Sequence, residues 1–175
     1  HCISSAASDV YKRQVLSGEI LVQNHCYRAD EMANMIELSK EFNYKITAFH
    51  HAVEAYKIAD LLADEGICGA LWAEWRGFKH EAYDMVPANI AIVDQARSGK
   101  GCAIVHSDDE VGIQHLNQEA AKAVKYGGLR EEEAWKYVTL NPAKLLHIDD
   151  RVGSLKEGKD ADLVLWSDNP LSIYA

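Results

Sequence analysis

Cys102-Ala-Ile-Val-His-Ser-Asp108 carries the fold in seven residues: a short apolar run of β character, then imidazole and carboxylate side chains as soon as the run ends. The same form stands elsewhere in the chain. Residues 19–23 lead into Asn24-His25, residues 45–49 into His50-His51, and residues 67–71 into a long aromatic loop. Between these runs lie longer stretches of helical period. Helices are expected over about 29–42, where Met32, Met35, Ile36, Leu38 and Phe42 share a broad face, and over about 54–65, capped by Gly66. Pro87 opens another, closed by Gly99, and two more cover about 115–126 and 131–138. Gly-type caps and Pro at a first helical turn are the expected punctuation. Short strands alternating with helices are the signature of βαβ units on a parallel sheet.

Four such units fit either half of an eight-stranded barrel or a small open doubly wound sheet, and periodicity does not choose between them. A closed barrel takes about 250 residues, so 175 residues supply only part of one. The last 28 or so residues leave the strand-helix rhythm. Two β-like pieces, 152–155 and 161–166, are expected there to join a small separate β layer. Residues 1–14 lack apolar periodicity and read as a leader foreign to the fold. The organisation expected is thus leader 1–14, four βα units over 15–147, and part of a composite β-sandwich over 148–175.

Composition narrows the function. With 48% hydrophobic and 26% charged residues the chain is of ordinary globular type. A net charge of −9 leaves no basic stripe for nucleic acid or anionic membrane. No apolar run approaches the ~20 residues of a membrane-spanning helix, so a soluble protein is expected, with the cytoplasm slightly favoured. Cys2, Cys26, Cys68 and Cys102 show no C-x-x-C spacing and are expected as buried free thiols.

In parallel α/β folds the chemistry gathers at the C-terminal ends of strands. Three of the four ends carry imidazole or carboxylate groups, the usual ligands of a catalytic zinc or similar ion. Strand alternation sends only one of His50 and His51 inward. His106 and Asp108, two apart, face the same way if the strand stays extended. Asp109 and Glu110 fall in the following loop, and His1, His115 and His147 have no comparable setting.

His25-Cys-Tyr-Arg-Ala-Asp-Glu, His51-Ala-Val-Glu-Ala-Tyr-Lys and His106-Ser-Asp108 resemble the fifth, sixth and eighth strand-end motifs of the amidohydrolase superfamily, in its imidazolonepropionase-like branch. Thr139-Leu-Asn-Pro-Ala143 and the stretch from Val152 to Trp166 resemble the segment where such enzymes leave the barrel and complete a β-sandwich. The resemblance implies the C-terminal half of a (β/α)₈ TIM-like barrel. It implies His25 and His51 on one divalent ion, most often zinc, and Asp108 on a second ion and the bridging water. His51 is preferred to His50 because it fits the His-x-x-Glu-Ala-Tyr phrase. His106 would stand near a substrate carbonyl oxygen, and Trp75, Lys79 and Glu81 belong to a segment that lies over the active site in relatives. The family's His-x-His pair and the bridging lysine or glutamate have no counterpart in this sequence. The implied activity is hydrolysis of a C–N bond in an amide, cyclic amide or dipeptide, with little or no turnover by this chain alone. A catalytically silent folded fragment, self-associating through open strand edges, and an α/β binding domain without metal are the other readings.

Overall fold

A computed structural model describes residues 2–174, with side chains from residue 9 onward; His1 lies outside the described residues. After a first helix, α1 (Cys2–Ser17), the chain alternates β1 (Val22–Cys26), α2 (Ala29–Glu41), β2 (Ile46–His51), α3 (Ala59–Glu65), β3 (Cys68–Leu71), α4 (Asn89–Gly99) and β4 (Ala103–Val105). Three further helices follow: α5 (Leu116–Gly127), α6 (Glu131–Lys136) and α7 (Leu140–Leu145). The four strands form one parallel sheet in the order β1-β2-β3-β4. This is the expected α/β alternation, and the strand order is the one successive βα units give when each lies beside the last.

The sheet has two unlike faces. Phe49, Leu71, Ala103 and Val105 pack with Met32, Ile36, Leu62, Ile90 and Val93 from the helices. Ala48, Cys68, Ala70 and Ile104 form a smaller cluster with Leu145, and the twofold alternation of a strand assigns these to the opposite face. On α2 the buried stripe is Met32, Ile36 and Ser39, narrower than the face expected, because Leu38 and Phe42 are exposed. The turn into β4 requires glycine at 101, where a Cβ would stand 1.7 Å from the Val93 carbonyl oxygen.

β1 starts three residues later than residues 19–23 suggest, so Asn24 and His25 lie within the strand rather than after it. Residues 1–14, expected to carry no periodic element, are helical from Cys2 onward, although Val10, Tyr11 and Leu16 remain exposed. The cysteines need correction. Cys26 is a buried free thiol, but Cys68 and Cys102 are joined in a disulfide. Register explains it: Gly69 pairs with Ala103, which sets the residues just before them side by side, with Cα atoms 4.5 Å apart. A separation of 34 residues carries no motif that would announce the pairing.

The outer edge of β4 is partly covered by its own chain. Val105 N–H donates to the Tyr137 carbonyl at 3.0 Å, and Asn141 Nδ2 donates to the Ala103 carbonyl at 2.7 Å. The β-like pieces at 152–155 and 161–166 form no strand among the described residues. A strand needs a neighbour to satisfy its N–H and C=O groups, and none lies alongside them. No described helix is long and apolar enough to cross a membrane.

Candidate active site

Parallel register brings the C-terminal strand ends into one row, with His25 beside His50 and His50 beside Ala70. Counting in twos places Gln23 and His25, Ala48 and His50, Cys68 and Ala70, and Ile104 on the face away from α2, α3 and α4. On that count His50 is the in-phase member of the doublet. Both nevertheless reach the cluster, because the backbone leaves the strand at His51. Ala52 N–H donates to the His50 carbonyl at 2.8 Å while His51 holds φ 67, a γ-turn of the rare positive-φ kind.

Four imidazoles result at one place. His25 Nδ1 and His51 Nε2 stand 2.9 Å apart. The His50 ring stacks on His25 at 5.0 Å between centroids, and its Nε2–H donates to Gln23 Oε1 at 2.6 Å. His106 Nε2 accepts the His51 backbone N–H at 3.3 Å, which leaves its proton on Nδ1. Tyr27 stacks on His51 at 4.8 Å, and the buried Trp72 lies 4.5 Å from His51 and 6.0 Å from His106.

Asp108 is placed differently from the expectation. The strand ends at Val105, and Asp108 holds φ 53, so extended alternation from His106 does not apply. Its carboxylate stands 3.6 Å from His51 Nδ1, the nitrogen other than the one facing His25. That distance is too long for a hydrogen bond, and His51 Nδ1 is buried without a partner. A carboxylate behind the second nitrogen of an imidazole is how metal-ligating histidines are commonly oriented. His25, His51 and Asp108 thus form a line rather than three corners around one point. Among the described residues no group of three or more His, Cys, Asp or Glu side chains is arranged to hold a metal ion.

The imidazole pair does fit two corners of such a site. Nitrogens on a tetrahedral zinc, with bonds of ~2.0–2.1 Å, lie about 3.3 Å apart, a few tenths more than is found here. Burial is the main cause that holds His51 and His106 down at about 4, against the opposing pull of Asp108; burial and His25 also lower His50. All three are neutral at pH 7, and the lone pair of His106 Nε2 is taken by the His51 N–H. Cys26, next to His25, is pushed up to about 11 by burial and Glu31, and stays a protonated thiol.

The aromatic loop covers this cluster. Trp75 stacks on Trp72 at 5.5 Å and meets Phe78 edge-on at 4.9 Å. Lys79 hydrogen-bonds the Tyr27 hydroxyl and lies over that ring at 3.9 Å. Glu81 is exposed on a single helical turn, His80–Ala82, and makes no hydrogen bond or ion pair among the described residues. A cleft of about 420 Å³ runs beside His106, Ser107 and Asp108. Gln23, Tyr27 and Trp72 join the cluster without a role assigned to them from motif or strand-end position. Tyr27 and Gln23 each stand two residues from His25, a spacing that would have found them.

The model of the amidohydrolase family matches residues 82–175. An amidohydrolase, tasK, from Hapsidospora irregularis is 36% identical over 91% of this chain, which spans 16% of that protein. An imidazolonepropionase from Shewanella baltica is 60% identical over 38 residues, 22% of this chain and 9% of its own length. The crystal structure of an amidohydrolase from Thermotoga maritima superposes with a TM-score of 0.82 at 34% identity, over 93% of this chain and 42% of that one. The four parallel strands and their helices therefore correspond to part of a TIM-like barrel, and the chain belongs to the amidohydrolase family.

Proposed function

We propose that this chain carries part of the active site of a metal-dependent hydrolase acting on a C–N bond of an amide, cyclic amide or dipeptide. The observation that carries the reading is the His25–His51 nitrogen pair, 2.9 Å apart at the C-terminal ends of adjacent strands. Amidohydrolase family members generally use divalent metals; here His25 and His51 would hold one, zinc being the first choice. Such an ion, when bound, lowers the pKa of water from ~15.7 towards ~7 and polarises a carbonyl.

The protein groups supply the rest. Asp108, exposed beside His51, takes a proton from the attacking water, and the carbon gains a C–O bond. Asp108 then passes that proton to the departing nitrogen as the C–N bond breaks. His106, neutral and protonated on Nδ1, is suited to donate a hydrogen bond to negative charge growing on the carbonyl oxygen. In its present place Asp108 stands 3.6 Å from His51 Nδ1 without a hydrogen bond to it, and a direct contact with an ion would require its side chain to turn. Trp75, Lys79 and Glu81 are assigned to the substrate, a small molecule; with a net charge of −9 nucleic acid is not expected as a partner.

The test is zinc uptake by equilibrium dialysis and elemental analysis. Wild-type chain is expected to bind weakly, and His51→Asn or His25→Asn to reduce uptake further; unchanged stoichiometry in both variants would remove the assignment. For turnover, a panel of dipeptides is expected to remain intact with this chain alone.

A further inference from the structure

The turn that presents His51 is held from a distant helix. His51 and the following Ala52 both occupy positive φ, at 67 and 41, conformations strained for residues bearing a Cβ and kept only where the surroundings hold them. Asn89, the first residue of α4, binds the segment that begins with Ala52. It is 1% exposed, and its amide spends its hydrogen bonds on this one segment. Nδ2 donates to the carbonyls of Ala52 and Val53 at 3.1 and 3.2 Å, and Oδ1 accepts the Tyr56 N–H at 2.9 Å. None of the three bonds goes to its own helix.

From the other side, β1 fixes the same turn. Ala52 N–H also donates to the Cys26 carbonyl at 2.9 Å, and Glu54 N–H to the Tyr27 carbonyl at 3.0 Å. Residues 52–56 are thus gripped between the strand that bears His25 and the helix that bears Asn89. We infer that Asn89 is a positioning residue: it holds the turn after β2 in the left-handed form that aims His51 Nε2 at His25 Nδ1. Without it, His51 reverts to strand geometry, alternation turns its ring toward the helices, and the nitrogen pair separates.

This inference rests on the metal-site reading above, and its test separates the two. Zinc affinity is measured by competition with a chromophoric chelator for the full chain, for Asn89→Ala, for His51→Asn and for the double variant. Supports of metal ligands are typically worth 10–100-fold in affinity, so Asn89→Ala is expected to weaken zinc binding at least ~10-fold. In the His51→Asn background the same change is expected to alter affinity by less than about twofold, because Asn89 acts through His51. An equal loss in both backgrounds, or none in either, overturns the positioning role. Wild-type chain that takes up no zinc overturns the metal reading itself, before any variant is compared. Should Asn89→Ala not fold, Asn89→Ser, which keeps a small polar group in the buried site, is read in the same cycle.

Discussion

The sheet's C-terminal rim and the tail after α7 are built from similarly apolar sequence and end in opposite states. At the rim, Phe49, Leu71 and Trp72 are buried by neighbouring elements of the same chain. In the tail, Leu163, Val164 and Leu165 are mostly exposed, Leu165 at 99%. Local anchors do exist there: Arg151 pairs with Asp160 at 2.8 Å, and Asn117 Nδ2 donates to the Pro170 carbonyl at 2.5 Å. The difference lies in partners. A β-type run becomes a strand only beside another strand, and a site becomes a site only where several such runs end together.

The contrast can be broken most forcefully at Phe49. Fully buried between sheet and helices, it is expected to cost about 3–5 kcal/mol on Phe49→Ala, read as a lowered urea midpoint; a loss below ~1 kcal/mol would mean that the rim is no better packed than the tail. Next in size is the disulfide. Reduction of Cys68–Cys102, or Cys68→Ser, is expected to cost about 2–4 kcal/mol, seen in urea titrations with and without dithiothreitol; identical curves would count against the cross-link.

Acid should act on the rim too. His106 is held at about 4 by burial, below the ordinary 6.5. The unfolded chain therefore takes up that proton first, and stability present above pH 6.5 is lost as pH falls towards 4. The loss is on the order of 3 kcal/mol for His106. His106→Gln is expected to make the stability profile less steep between pH 6.5 and 4, with His51 keeping its own share, and an unchanged profile would contradict the burial argument. The smallest effect belongs to the tail. Leu165→Ser is expected to change stability by no more than about 0.5 kcal/mol while reducing aggregation; a marked loss of stability would show that this run has a partner after all.

Order of elements and their spacing were legible in the sequence because periodicity and glycine or proline punctuation are local signals. His25, His51, His106 and Asp108 were legible as a set because all four stand at or just beyond a strand's end. Their relative geometry was not. That His51 joins His50 in the cluster depends on a γ-turn that alternation does not foresee, and Asp108 leaves the strand's phase through its own positive φ. Asn89 gave no signal, since its three bonds reach segments more than thirty residues away. The Cys68–Cys102 pair is likewise a consequence of register.

The central claim is that two strand ends aim imidazole nitrogens at a common point. X-ray absorption spectroscopy of the zinc-loaded chain measures this directly. The account predicts imidazole nitrogens at ~2.0–2.1 Å from zinc, two in number, with the imidazole signal reduced in His25→Asn and again in His51→Asn. A zinc shell without histidine, or one unchanged by both substitutions, would contradict it.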